Sequence, residues 1–215
     1  PTALHISALS AIERDLIPRL DTLNRALAEK AVVWSHIRKV GRTHLQDAVP
    51  LFLGDEFGAY ARQVELSILR IKNASAGLRE LALGGTAVGS GLNTPPEFAA
   101  AVIEKINRHL DMRLQEAENR FEAQGARDAA VEMSGTLKSV AVSLMKIADD
   151  IRWLASGPRC GLGEIQLPAL QPGSSIMPGK VNPVITEVVL QAAAQVIGND
   201  TTITLAGQKG QFELN

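Results

Sequence analysis

The sequence predicts an all-α protein, an elongated bundle of long helices. Apolar residues recur every three or four positions over long stretches, which is the spacing of one helical face. Gly/Pro-rich loops separate these stretches, and no segment offers several alternating strands with hairpin signals. With 215 residues, 46% of them hydrophobic, the chain is long enough for a sizeable core.

The first three predicted helices follow directly from this spacing. The first runs from Leu4 to Leu27, and Pro18 is expected to kink it rather than end it. The second begins near Glu56 and stops at the pair Gly84-Gly85. The third carries the apolar positions from Val140 to Leu154 and ends at Gly157-Pro158.

The fourth predicted helix, Val184 to Ile197, differs in kind because apolar residues cover almost every face. Such a helix is expected to be buried all round. A bundle made from one chain seldom needs a helix of this type, so we expect other subunits to supply its neighbours. The sequence therefore predicts a homo-oligomer whose core is a helical bundle.

Charge and cysteine content exclude several classes of protein. The 22 basic and 23 acidic side chains give a net charge of -1, so the chain has no excess of positive charge for binding nucleic acid or an anionic membrane. Cys160 is the single cysteine, so the chain cannot form an internal disulfide. A protein without disulfides fits a reducing compartment. No apolar run of bilayer length is present. Neither Pro1 nor Asn215 has tail-like neighbours, and we expect the chain to be part of a longer protein.

The loop Gly173–Pro183 has the composition of an anion-binding site. It places Ser174, Ser175, Lys180 and Asn182 between glycines that let backbone N–H groups approach a ligand. A solvated connector can have the same composition. A phosphate loop is excluded, because five residues separate Gly173 from Gly179 and Val181 stands where a magnesium-binding hydroxyl belongs.

His44 lies in the polar segment Gly41–Asp47, ahead of Pro50. Glu187 is the only charged residue in the fourth predicted helix, and a carboxylate buried there needs a partner. Pairing with His44 gives an oriented acid/base; pairing with Arg42 contributes stability alone. The four histidines show no spacing typical of metal ligands, so we expect no metal site.

Four segments carry a resemblance to a known family. Gly173–Pro183 resembles the signature loop of the fumarase/aspartase superfamily, with its G-S-S-x-M-P-x-K-x-N pattern intact. Three more resemble class II fumarase in particular: Gly41–Ala48, Gly84–Asn93 and Ser156–Ile165. Aspartases usually carry Gln where this chain has His44 and Asn where it has Gly163, and Phe121-Glu122-Ala123 is also similar to fumarase.

The resemblance implies a lyase that reversibly hydrates fumarate to L-malate without a cofactor. In such a lyase Ser174 is the catalytic base on a mobile loop, and His44, oriented by Glu187, handles the hydroxyl or water. The substrate carboxylates are bound by four residues: Thr43, Ser175, Lys180 and Asn182. An ammonia-lyase acting on aspartate, from the same superfamily, is the alternative.

The family also implies a homotetramer whose active sites combine segments of three subunits. By this resemblance we expect residues 1–215 to correspond to its central helical domain, with the N-terminal and C-terminal domains of the family outside these residues. A serine-serine-asparagine substrate-binding segment of the family falls just before Pro1. We therefore expect a catalytically incomplete tetramer core as a further alternative. The expected location is a bacterial cytoplasm, favoured over a mitochondrial matrix.

Overall fold

The computed structural model describes residues 1–215, and long helices dominate it. The prediction of an all-α fold is confirmed for the bulk of the chain. The helices are α1 (Thr2–Ala11), a π-helical segment (Ile12–Leu16), α2 (Ile17–Val33), α3 (Leu53–Leu78), α4 (Phe98–Leu110), α5 (Arg120–Gly125), α6 (Asp128–Leu154) and α7 (Val184–Gly207). The short strands are β1 (Arg38–Thr43), β2 (Gln46–Phe52), β3 (Glu80–Leu81) and β4 (Gln115–Glu116).

The chain divides into two compact units. Unit 1 comprises residues 1–137 together with residues 200–215, and unit 2 comprises residues 138–199. Unit 1 holds the two small sheets and most of the buried apolar side chains. Unit 2 holds the loop Gly173–Pro183 and the first two thirds of α7.

The first predicted helix is confirmed, and it is continuous through Pro18. Leu9, Ile12, Leu20 and Leu27 form its buried face, as the spacing predicts. Ahead of Pro18 the helix widens into the π-helical turn, where the N–H of Ile17 donates to the carbonyl of Ile12 five residues back. Proline has no N–H and crowds the carbonyl four residues before it, and a wider turn accommodates both effects.

The packing of α2 against α3 forms the main helical contact of unit 1. Twelve residues of α3 are buried, among them Phe57 and Tyr60, whose rings make an edge contact at 5.5 Å. Trp34, just beyond α2, meets Phe57 edge-on at 4.7 Å. Gly54 allows a close approach here, because a Cβ on it would lie 2.8 Å from the Cα of Ser35.

The predicted end of the second helix at Gly84-Gly85 is wrong. Helix α3 ends at Leu78, and Leu81 lies in β3, which pairs in parallel with β4. Leu78 and Leu81 are both fully buried and three residues apart, so their spacing imitates one more helical turn. Leu81 is thus a core residue whose backbone pairs as a strand.

An antiparallel hairpin, β1–β2, is the largest feature that the sequence did not predict. Its register pairs Arg38 with Phe52 and Thr43 with Gln46, with a bulge between Val40 and Arg42. Gly41 occupies the bulge, where a Cβ would lie 2.8 Å from the carbonyl oxygen of Val49. A helical region precedes the hairpin and α3 follows it directly, so the hairpin interrupts the bundle as a single projection.

Helix α7 extends well beyond the predicted end at Ile197 and reaches Gly207. In the single chain it is not buried all round, since the side chains of Ile185 and Val188 are more than half exposed. Asp200 is a second charged residue of this helix and is buried in unit 1. None of the helices combines the length and the apolar character that crossing a bilayer requires.

Candidate active site

The tip of the β1–β2 hairpin presents Thr43 and His44. Thr43 pairs with Gln46 across a two-residue turn formed by His44 and Leu45. Both turn residues have positive φ, 54° and 61°, as a tight hairpin turn of the primed type requires. All of these side chains are exposed. His44 therefore lies on an exposed turn, where sequence reasoning placed only a polar loop.

The backbone at this tip is strained. Asn-Gly is the usual sequence for such a turn, whereas a left-handed residue with a Cβ costs roughly 1–2 kcal/mol. Here both positions carry large side chains, His44 and Leu45. Strain of this kind is typical of functional sites, where the surrounding structure holds a side chain in place against its local preference.

Arg42 and Asp47 face each other across the hairpin. Nε of Arg42 lies 3.9 Å from a carboxylate oxygen of Asp47, and the Arg42 side chain is mostly buried while that of Asp47 is exposed. Both residues belong to unit 1 and Glu187 belongs to unit 2. The pairing of Glu187 with either His44 or Arg42 therefore stays a prediction.

In unit 2, Ser174 is held at the start of the signature loop by the backbone that follows it. Its Oγ accepts hydrogen bonds from the N–H groups of Ile176 and Met177, both at 3.2 Å. Two N–H donors directed at one oxygen stabilise negative charge on that oxygen. Both donors belong to residues that follow Ser174 closely in the same loop, and the role of Ser174 as a base stays a prediction.

The signature loop also folds back on itself. A Cβ on Gly173 would lie 3.2 Å from the carbonyl carbon of Lys180, so glycine alone allows the backbone at position 173 to approach the backbone at Lys180 this closely. The N–H of Lys180 donates to the carbonyl of Met177 at 3.2 Å, and Gly179 has φ of 84°. The loop thus brings the backbones at Ser174 and Lys180 into one small cluster.

The remaining polar residues of the loop are open to solvent. Ser175, Lys180 and Asn182 are exposed, and Ile176 and Met177 expose half or more of their side chains. The carbonyl of Asn182 accepts from the N–H of Val184, the first residue of α7, at 2.9 Å. The loop therefore presents hydroxyl, ammonium and amide groups immediately before the helix begins.

Glu187 lies in the first turn of α7 and is half-buried. Its N–H donates to the carbonyl of Pro183 at 3.2 Å, and Thr186 Oγ1 donates to the same carbonyl at 2.6 Å. A carboxylate in the first turn is stabilised by the helix dipole as well as by any ion-pair partner. No group of three or more His, Cys, Asp and Glu side chains is arranged as a metal site.

Two of the fumarase-like segments contact each other in unit 1. Gly89, in the segment Gly84–Asn93, packs on Phe121, where a Cβ would lie 2.8 Å from the ring. The buried side-chain amide of Gln124 donates to the carbonyls of Thr86 and Ala87 at 3.1 and 2.8 Å. These contacts give the segment a structural role that the sequence did not indicate.

The segment Ser156–Ile165 forms a closed loop in unit 2. Ser156 Oγ accepts from the N–H of Leu162 at 3.0 Å, and the N–H of Gly163 donates to the carbonyl of Ser156 at 2.9 Å. Gly163 has φ of 58°, a conformation that glycine and asparagine both tolerate. A Cβ at Gly163 would lie 3.1 Å from the carbonyl oxygen of Pro158, so a larger residue at this position needs a small shift of the loop.

Comparison with known proteins decides the family. A lyase family matches residues 1–198 of the chain. The chain belongs to this lyase family. Among curated members of similar sequence, the class II fumarate hydratases of Corynebacterium glutamicum and Mycobacterium tuberculosis are each 57% identical to it over 216 aligned positions. The mitochondrial fumarate hydratase of Dictyostelium discoideum is 54% identical over 215 positions.

Every residue of this lyase chain is covered by these alignments, but only 46% of the two bacterial relatives and 44% of the Dictyostelium relative. The chain spans about half the length of the curated relatives that it matches. The resemblance to class II fumarase inferred from the four motifs is confirmed by this similarity along the whole chain.

Solved structures of the lyase family share its fold. A class II fumarase from Schistosoma mansoni superposes with a TM-score of 0.95 at 37% identity, covering 100% of this chain and 48% of that one. A cobalt-bound fumarate lyase:delta crystallin from Brucella melitensis gives 0.94 at 46% identity, covering 100% and 46%. The helical architecture is therefore that of the family.

Proposed function

We propose that residues 1–215 are the central helical domain of a class II fumarase, a lyase that reversibly adds water to fumarate to give L-malate. The observation that carries this proposal is the signature loop, in which two backbone N–H groups donate to Ser174 Oγ. The names of the relatives, class II fumarate hydratases at 57% identity, support the same substrate.

Ser174 is the proposed base. In the direction from malate, its alkoxide removes the proton on C3, and the electron pair moves into the adjacent carboxylate to give an enolate-like intermediate in which that group carries two negative charges. The bond from C2 to the hydroxyl oxygen then breaks, the electron pair returns from the carboxylate to form the C2–C3 double bond, and the hydroxide leaves as water with a proton donated through His44. The N–H groups of Ile176 and Met177 favour the alkoxide, and Lys180 adds positive charge to the loop.

His44 is the proposed partner of the leaving hydroxyl or the incoming water. Its exposed position on a strained turn supports this role, because the imidazole is accessible there to a substrate hydroxyl or a water molecule. Glu187 is proposed to orient the ring. The substrate carboxylates are assigned to the donors Thr43, Ser175, Lys180 and Asn182, all of which are exposed.

The proposed assembly is a homotetramer in which α7 lies at the centre. Ile185, Val188 and Leu205 of this helix are each more than half exposed in the single chain, although they are apolar. Packing against equivalent helices of other copies would bury them. Val188→Lys is expected to dissociate the assembly in sedimentation velocity, whereas Val188→Leu leaves it intact. A monomer formed by the unchanged chain at high concentration contradicts this arrangement.

A bacterial cytoplasm is the proposed location. Two of the relatives named above are bacterial proteins, and the Dictyostelium relative is mitochondrial. Fractionation of the source cells with matrix and cytoplasmic markers tests this assignment.

The decisive experiment follows the ultraviolet absorbance of fumarate after L-malate or L-aspartate is added. We expect growth of the signal with malate alone, from this chain or from a chain extended to the length of the curated relatives. Ser174→Ala should abolish it while leaving circular dichroism and sedimentation unchanged. A signal with aspartate would favour the ammonia-lyase alternative, and near-normal turnover by Ser174→Ala would refute the proposed base.

The same assay separates the enzyme from a tetramer core without catalysis. The chain covers 46% of its bacterial relatives, so an inactive core is a specific alternative for these 215 residues. An inactive chain whose extended form gains activity supports that alternative. If both the chain and its extended form are inactive, the proposed function is wrong.

A further inference from the structure

Lys39 and Glu56 form an ion pair at the base of the hairpin. Nζ of Lys39 donates to both carboxylate oxygens of Glu56, at 2.8 and 2.7 Å, and the two side chains are 7% and 22% exposed. Lys39 is the second residue of β1, and Glu56 lies in the first turn of α3. The pair therefore ties the hairpin to the helix that follows it.

The backbone holds the hairpin at this same end. The N–H of Leu53 donates to the carbonyl of Ile37 at 2.8 Å, and the N–H of Gly54 donates to that of Trp34 at 3.1 Å. Beyond this base, every residue from Thr43 to Pro50 is exposed. The angle between the hairpin and α3 is thus set at the base, and the base determines where the tip lies.

The distance from base to tip makes this angle important. His44 lies five residues beyond Lys39 along β1 and the turn, a distance of roughly 16 Å at about 3.3 Å per residue. A tilt of about 10° at the base would then move His44 by roughly 3 Å. An error of about 1 Å in a reacting group can already cost on the order of 100-fold in rate.

Stability alone does not account for an ion pair in this position. Two apolar side chains of similar volume would stabilise a buried contact as well or better, because neither has to lose water from a charge. What the ion pair adds is a defined position, since Nζ of Lys39 lies within hydrogen-bonding distance of both carboxylate oxygens of Glu56 and is held next to that group. This contact lies between the strand that carries Thr43 and the start of α3.

We propose that Lys39, acting through Glu56, is a positioning residue for the site at the hairpin tip. The pair fixes the tilt of the hairpin on α3 and so places Thr43 and His44. The catalytic consequence rests on the proposed hydration of fumarate. The placement itself is a property of the chain that can be measured without substrate.

The test measures the position of the hairpin directly. Spin labels on Ala48→Cys and Arg70→Cys, in a Cys160→Ser background, report the distance between the exposed β2 strand and the exposed surface of α3. Labelled chains are diluted with unlabelled chains, so that only distances within one chain are read. The unmutated pair is the labelled chain in which Lys39 and Glu56 are both intact. It is compared with labelled chains that carry Lys39→Met, Lys39→Arg or the double substitution Lys39→Met/Glu56→Leu.

We expect one narrow distance distribution for the unmutated pair and for Lys39→Arg, since arginine can also donate twice to a carboxylate. Lys39→Met should broaden or shift the distribution. The double variant should recover the thermal stability that Lys39→Met loses, while its distribution stays broad. If the double variant restores both the Tm and the narrow distribution, the pair serves stability alone and the proposal is wrong. An unchanged distribution in folded Lys39→Met overturns it equally.

Activity provides a second and separable readout. In an active form of the protein, Lys39→Met should lower kcat/KM about 10- to 100-fold, and Lys39→Arg should restore most of it. Normal kcat/KM in a Lys39→Met variant with a displaced hairpin contradicts the catalytic part of the proposal. If neither this chain nor its extended form is active, the proposed function is wrong, and the distance measurement still decides the role of Lys39.

Discussion

Nδ1 of His5 lies 3.0 Å from the carbonyl oxygen of Glu80, and its ring is buried in unit 1. The carbonyl can only accept, so Nδ1 carries the proton and donates it. Burial lowers the pKa of His5 below its usual value, and the positive charge of Arg127 acts in the same direction. The folded chain therefore favours a neutral imidazole at this position.

This lowered pKa predicts a loss of stability in mild acid. Below about pH 6.5 the unfolded chain gains a proton on His5 that the folded chain resists, so stability falls as the pH falls toward the folded pKa. The slope from this residue is at most about 1.4 kcal/mol per pH unit. His5→Asn keeps a donor near Glu80 and cannot titrate, so the free energy of unfolding should depend less on pH in this variant.

Denaturant unfolding at several pH values between 5 and 8 measures the effect. His109→Asn is the matched control, because it makes the same substitution at an exposed histidine. Equal pH dependence in the unmutated chain and in His5→Asn would show that His5 contributes nothing to acid sensitivity.

Gly54 and Gly58 lie one turn apart in α3 and should respond oppositely to alanine. A Cβ on Gly54 would lie 2.8 Å from the backbone nitrogen of Ser35, whereas the nearest atom to a Cβ on Gly58 is the Cβ of Ala31 at 3.8 Å. Gly54→Ala should lower the free energy of unfolding by about 1–3 kcal/mol through overpacking. Gly58→Ala should raise it by about 0.5–1 kcal/mol through helix propensity.

Equilibrium urea unfolding of the two variants checks this pair against the unmutated chain. The two substitutions are chemically identical, so their difference isolates the close approach of α2 to α3. Equal effects of the two would mean that the helices separate easily at Gly54.

Leu45→Gly should stabilise the hairpin tip relative to Leu45→Ala. Both variants remove the exposed leucine side chain, but only glycine relieves the left-handed backbone at φ of 61°. The difference in free energy of unfolding should be about 1 kcal/mol in favour of glycine. Hydrogen exchange at the amides of Thr43 and Gln46 locates the change, and a preference for alanine would argue against strain in the turn.

Ser134 and Asp200 form a buried hydrogen bond in unit 1, with Oγ of Ser134 donating to a carboxylate oxygen at 2.8 Å. Ser134→Ala should lower the free energy of unfolding by about 1–3 kcal/mol, because the carboxylate oxygen loses a donor where water has little access. Ser35→Ala removes an exposed hydroxyl that donates to Val32 and should cost less than about 0.5 kcal/mol. Chemical denaturation of both variants makes the comparison, and equal losses would contradict the buried role.

The sequence predicted the helices well where one face repeats along a long segment. Leu9, Ile12, Leu20 and Leu27 are buried as their spacing requires. The hairpin escaped prediction because its turn is His44-Leu45 rather than Asn-Gly, and because Pro50 argues against a strand. The left-handed backbone at His44 and Leu45 is maintained by the rest of the fold, so the local sequence does not predict it.

The end of α7 shows a related limit. Gly198 and Asn199 follow the last apolar run and are typical of a helix end, yet the helix continues to Gly207. The buried contact of Asp200 with Ser134 comes after them, and a contact between segments 66 residues apart is invisible to local patterns. The residues of the signature loop were identified by their motif. Which N–H groups donate to Ser174 could not be predicted from the sequence and is known only from the structure.

The hairpin also carries a hazard, since a sheet of two strands has two open edges. Unpaired backbone groups along such an edge can recruit a strand from another molecule, and this is how many aggregates begin. Pro50, near the middle of β2, has no N–H to offer an incoming strand, and the bulge at Gly41 breaks the regularity of β1. Pro50, which argued against a strand in the sequence, thus helps to protect a newly made chain from pairing with the wrong partner.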